Sequence, residues 1–140
     1  MLFSVHTQAQ KRVSWDQLAD VKYSYEYSET FKTWYSKPTF GESVKELDQQ
    51  EIVLKGYVLP MDVEGDYFIL SQFPYSSCFF CGGAGQESVV ELRFKKRKRS
   101  FKMDEFVAFK GKIKLNDVVF EMSYLLEDAV MVDLDAGESE

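Results

Sequence analysis

The chain contains a single histidine, His6, and it falls within the first ten residues. The body of the sequence therefore lacks the commonest general base and the commonest metal-binding ring. Cysteine is almost as scarce, with Cys78 and Cys81 the only two. No apolar run reaches the ~18 residues of a membrane-spanning helix. No Gly-Lys-Ser/Thr follows the glycines at 82, 83 and 85, which excludes a P-loop. No βαβ pattern is present, which argues against a thioredoxin-like domain. Acidic residues outnumber basic ones by 23 to 17, so net charge gives no general reason to expect nucleic acid as a partner.

What remains is rich in aromatic and apolar residues. The 140 residues are 45% hydrophobic and 16% aromatic, enough for one domain with a real core. Residues 1–10 end in Thr7-Gln8-Ala9, whose small residues fit a signal-peptidase site with cleavage before Gln10. This segment is expected to be an export-signal remnant, which points to a periplasmic or otherwise exported protein. The competing reading is the polar tail of a cytosolic protein.

Patterning along residues 11–134 predicts a single β-rich domain, followed by a frayed acidic tail over 135–140. Ser14 caps a short helical turn over Trp15–Asp20. Tyr23, Tyr25 and Tyr27 alternate with polar residues and predict a strand with one half-buried face. That face could serve as a stacking platform, but burial is the commoner use of such a pattern. Residues 29–40 read as an irregular aromatic connection, and Gly41–Leu47 as one or two helical turns. Ile52–Pro60 is a strand apolar on both faces. Glu64-Gly65-Asp66 is a hairpin turn, and Tyr67–Ser71 is the returning strand. Val90, Leu92 and Phe94 alternate in a third strand. Val107 to Leu115 forms the cleanest amphipathic strand. Phe120, Met122 and Tyr124 continue the alternation, and Ala129–Leu134 closes the series.

Gly56 and Gly111 sit at equivalent places inside two of these strands. Glycine within a strand marks a sharp bend, as a small barrel needs at its corners. The expected fold is all-β with minor α. It is a small Greek-key barrel of oligonucleotide/oligosaccharide-binding type, with short N-terminal helical turns.

The chemistry concentrates in Cys78-Phe79-Phe80-Cys81-Gly82-Gly83-Ala84-Gly85, which follows a strand and is expected at the barrel mouth. Glycines 82, 83 and 85 permit backbone conformations that other residues avoid. A Cys-x-x-Cys-Gly turn can aim both sulfurs at one point, with backbone N–H groups directed at them. Two thiols so placed can hold a soft or borderline metal, close a structural disulfide, or exchange disulfides. Glycines after the second cysteine make a poor helix start, which argues against redox catalysis. Structural zinc needs four protein ligands. With His6 in the signal segment, zinc would have to recruit carboxylates or a second chain, giving a homodimer with four shared thiolates. Cu(I) accepts thiolate and thioether sulfur, so two cysteines with Met61, Met103 or Met122 would serve it.

Three segments carry a resemblance. Gly56-Tyr57-Val58-Leu59-Pro60, Phe68-Ile69-Leu70-Ser71 and the cysteine-glycine loop through Val89 resemble an uncharacterised family of small exported bacterial proteins. The resemblance covers residues 15–134. It implies the same fold and export, and no settled activity. More distant relatives have a Cys-x-His segment followed by prolines in this loop. Here Phe80 stands where that histidine would fall and no proline run follows, so a histidine ligand does not carry over.

Lys95, Lys96, Arg97, Lys98 and Arg99, with Lys102, hold six of the 17 basic residues. They suit contact with an anionic head group or acidic partner, but a solvated connector explains them as well. Nucleic acid is not the expected partner, since only Phe101 interleaves the run. Asp62 and Glu64 suit a cation but also suit a polar hairpin tip. No catalytic residue is assigned.

The expected function is an extracytoplasmic, non-enzymatic binding module whose Cys78 and Cys81 take zinc or copper. The alternatives are an envelope protein-interaction domain with a structural disulfide, and a thiol-disulfide carrier.

Overall fold

A computed structural model describes residues 11–62, 67–96 and 99–135. In chain order the elements are β1 (Lys11–Arg12), α1 (Trp15–Leu18), β2 (Val21–Ser28), β3 (Thr33–Phe40) and α2 (Glu42–Lys45). They continue with β4 (Glu51–Pro60), β5 (Phe68–Ser71), β6 (Val89–Phe94), β7 (Glu105–Leu115) and β8 (Tyr124–Val132). Five strands close a barrel in the order β4-β5-β6-β8-β7, with β7 returning to pair with β4. All neighbours are antiparallel except β6 and β8, which run parallel. Closure leaves the barrel no open sheet edge, and the expected small all-β barrel is what the chain forms.

Both predicted corner glycines lie at close strand approaches. A Cβ on Gly56 would sit 2.5 Å from the Ser71 carbonyl oxygen. One on Gly111 would sit 2.7 Å from that of Glu127, where the β7–β8 register shifts. Any side chain at either place would push two strands apart.

The interior is filled by alternate residues of each strand, among them Ile52, Leu54, Val58, Leu70, Val90, Phe109, Ile113 and Leu126. The N-terminal segment plugs this core. Ser14 caps α1, with its backbone N–H donating to Gln17 Oε1 at 2.8 Å. Trp15 donates its indole N–H to the Lys55 carbonyl at 2.7 Å. Leu18 is fully buried, which contributes about 1.5–3 kcal/mol. Buried Tyr124 donates its hydroxyl to the Leu18 carbonyl at 2.6 Å, joining α1 to β8. The turn after α2 is stitched to β7 by Gln49 N–H to Ile113 O at 2.7 Å and Leu115 N–H to Asp48 Oδ1 at 2.9 Å.

Three expectations need correction. Residues 33–40 form a full strand rather than an irregular connection, pairing with β2 from Val21↔Phe40 to Ser28↔Thr33. Pro38 is tolerated because a two-stranded ribbon is all edge, so no ladder bond has to come from its nitrogen. The tyrosine face is half-buried only at Tyr23, while Tyr25 and Tyr27 are exposed, because the ribbon projects beyond the barrel. Finally, β8 is one strand from Tyr124. Phe120 lies before it in a left-handed turn conformation (φ 67°), so the alternation read through Phe120 and Met122 belongs to a loop.

The expected signal segment, the Glu64-Gly65-Asp66 turn, Arg97, Lys98 and the tail from residue 136 lie outside the described residues. Among the described residues, no helix is long and apolar enough to cross a membrane.

Candidate functional site: the Cys78–Cys81 loop

The strands leading to the loop show why it sits where it does. In β5 all four residues are buried, although alternation sends neighbours to opposite faces. Phe68 and Leu70 enter the main core, whereas Ile69 joins Leu59, Val89 and Cys78 in a separate small cluster. Leu59 and Ile69 are directly paired across β4 and β5. Alternation therefore places this second cluster on the outer face of the barrel wall. The loop lies against that wall and not at the barrel mouth, as had been expected. It covers apolar residues that would otherwise face water, and this explains why β4 reads as apolar on both faces.

Short-range hydrogen bonds shape the loop. Three single 3-10 turns span Tyr75–Ser77, Phe79–Cys81 and Gln86–Ser88. Gln72 N–H donates to Ser88 O at 2.9 Å and closes the base. Tyr75 N–H donates to Asp104 Oδ1 at 2.8 Å and ties the loop to the start of β7. The Cys78 carbonyl accepts from Cys81 N–H at 3.2 Å and from Gly83 N–H at 3.0 Å. Gly82 N–H donates to Phe79 O at 3.0 Å. These amides are engaged by carbonyls, so the expected aiming of backbone N–H groups at sulfur is not the arrangement found.

Gly82 turns the chain with φ 78°, a left-handed conformation that disfavours any side chain. At Gly83 a Cβ would lie 2.6 Å from the Ser77 carbonyl oxygen. Gly85 precedes the last turn, and its carbonyl accepts the Ser88 hydroxyl at 2.6 Å. The glycines thus bend and pack the loop.

Cys78 is fully buried and Cys81 is exposed. Both are free thiols, and the Cys78 thiol and the Tyr75 hydroxyl both lie near enough to Cys81 to bear on its protonation. Desolvation, then the neighbouring Cys78 thiol, push the Cys81 thiol up, against the downward pull of the Tyr75 hydroxyl. A thiol held up in this way is a poor nucleophile near neutrality. Met61, Tyr67, Phe79 and Met122 pack around the Cys78 cluster. Met103, the third methionine considered, is exposed and stands outside that cluster. Among the described residues, no group of three or more His, Cys, Asp or Glu side chains is arranged to hold a metal.

The basic run lies on the β6–β7 connector. Arg99 forms an ion pair with Glu105 and lies 4.4 Å from the centroid of Phe101. Phe101 is buried against Phe68, Phe109 and the partly buried Phe94, so it anchors the connector into the core. Lys95 and Lys96 are exposed.

The tyrosine face, read from the sequence as a stacking platform or more commonly a buried face, proves to be part of a wider exposed aromatic surface on the ribbon and the loop before β8. Tyr25, Tyr27, Phe31, Trp34 and Phe120 are all exposed. Tyr27 meets Trp34 edge-on at 5.6 Å, and Phe31 meets Phe120 at 5.3 Å. The tyrosine alternation was the available signal, but it needed the β3 partner to be recognised.

Together these elements define a small closed barrel of oligonucleotide/oligosaccharide-binding topology, with an added ribbon and a thiol loop on its outer wall. The fold is similar to the crystal structure of a DUF3299 family protein from Pseudomonas aeruginosa PAO1, with TM-score 0.51 and 18% sequence identity over 89% of this chain and 97% of that one. At that identity the likeness speaks for the fold, and a neighbour in a domain-of-unknown-function family is compatible with the resemblance drawn from the sequence. No family model and no curated protein matches the sequence.

Proposed function

We propose that this protein is an extracytoplasmic, non-enzymatic binding module whose Cys78–Cys81 loop holds a soft or borderline metal ion. The observation that carries this reading is a pair of free thiols set near each other in one loop, one buried and one open to solvent. The buried sulfur gives the site a fixed wall, and the exposed one gives the ion a way in. The raised Cys81 thiol speaks against a thiol-disulfide carrier, which needs a ready thiolate. Elemental analysis of the purified, reduced protein tests the reading. Stoichiometric zinc or copper, lost in Cys81→Ser, is the expected result. Cys81 is the better target because its exposed side chain supports little packing.

A second reading is an envelope interaction domain whose two cysteines close as a disulfide. It is favoured by the same closeness of the thiols and by the exposed aromatic surface of the β2–β3 ribbon. A metal-free protein with no titratable thiols under non-reducing conditions is its expected signature.

A further inference from the structure

The donor set around the loop discriminates between the two metals. We infer that the site is selective for Cu(I) over Zn(II), with a thioether from Met61 or Met122 completing a sulfur-only coordination sphere begun by Cys78 and Cys81. This inference rests on the metal-binding reading and narrows it.

Zinc in a closed protein site takes four ligands from cysteine, histidine or carboxylate. Among the described residues, no third group of that kind stands with the two thiols. Two methionines do pack on the small cluster to which Cys78 belongs. Thioether sulfur is a weak ligand for zinc and a good one for Cu(I), because Cu(I) is soft and polarizable. Cu(I) is also content with two or three donors, whereas zinc with two would keep solvent in its remaining positions. Leu59, Ile69, Val89 and Phe79 add apolar walls, which favour a singly charged ion over a doubly charged one. When Cu(I) binds, two Cu–S(thiolate) bonds form, the two thiol protons leave to solvent, and one thioether sulfur donates its lone pair. No electron changes hands.

The test uses the reduced full chain, titrated anaerobically with Cu(I) against a chromogenic Cu(I) chelator, and separately with Zn(II). Met61→Leu, Met122→Leu and the double variant keep the apolar volume and remove the sulfur. X-ray absorption at the copper edge reads the number and type of donors. Expected are one Cu(I) per chain, three sulfur neighbours, and Cu(I) affinity in the double variant lowered by at least the ~10-fold that loss of even an outer-shell partner brings. Weak zinc binding should be unchanged by either substitution. If zinc binds as tightly as copper, or Cu(I) affinity is the same in the double variant, the selectivity inference is overturned while the metal-binding reading stands. If neither ion binds, both fall. Met103→Leu, which removes a thioether exposed outside the Cys78 cluster, serves as the control expected to leave Cu(I) affinity unaltered.

Discussion

One buried hydroxyl ties the N-terminal plug to β8. Tyr124 is fully buried, and its hydroxyl donates to the Leu18 carbonyl, 2.6 Å away. Burial pushes its phenol far up, so the group is a neutral donor at any working pH. Tyr124→Phe keeps the ring packed against Phe40 and leaves the Leu18 carbonyl buried without that donor. The expected cost is about 1–3 kcal/mol, read as a lower urea midpoint with an unchanged slope. Cys81 gives a second prediction, of pH dependence. A thiol whose folded pKa is raised favours the protonated state, so its contribution to stability is present below the unfolded value and is lost as pH rises through the folded one. A metal must displace that proton. Apparent affinity should therefore climb steadily between about pH 6 and about pH 8, and isothermal titration in buffers of different ionisation enthalpy should count the protons released. An affinity flat across that range would exclude thiolate ligation.

At the scale of elements, the barrel and the ribbon differ in how they are held. Strands β4 to β8 close on one another around a continuous core. The ribbon is two strands with both outer edges free, and a lone hairpin is marginal in water. It is held at its base by Tyr23 Oη to Ser123 Oγ at 3.3 Å and by Phe40 against Tyr124, and farther out by Phe31 and Tyr35 against Phe120. Hydrogen exchange should show amides of β2 and β3 opening well before those of β4 and β7. Equal protection would mean the ribbon is covered by something further in solution. The same contrast explains what could be read in advance. Strands β4 and β7 were legible because burial imposes a clear pattern, and Gly56 and Gly111 mark real corners. Strand β3 was not, since an exposed edge strand can carry Pro38 and Lys37 without penalty. The loop's place on the outer wall was hidden because a strand apolar on both faces says that something covers it and not what. The two cysteines stood out by scarcity alone, but the packing of Met61 and Met122 on the cluster that holds Cys78 depends on strand pairing that no local pattern reports.

For the molecule as a whole, the question is whether ribbon and barrel behave as one cooperative unit. Among the described residues the ribbon has no buried cluster of its own, and beyond its own ladder and the Tyr27–Trp34 contact it rests on residues of the barrel and of the loop before β8. Once the barrel opens, nothing remains for the ribbon to fold against. Its brief local openings should therefore be visible to exchange and yet produce no separate equilibrium step. The two tryptophans offer a way to ask this. Trp15 reports on the barrel through its bond to the Lys55 carbonyl, whereas Trp34 lies on the ribbon beside Tyr27. In Trp34→Phe and Trp15→Phe the remaining indole isolates one region each. The Trp34 substitution is at an exposed site and should change stability by less than about 0.5 kcal/mol. Trp15→Phe removes a bond that satisfies Lys55, so its midpoint should fall, but fluorescence and far-ultraviolet dichroism should still trace the same curve within each variant. A Trp34 signal that moves ahead of the dichroism would show the ribbon to be a separate folding unit, and its aromatic face would then have to be explained by a partner rather than by the barrel that supports it.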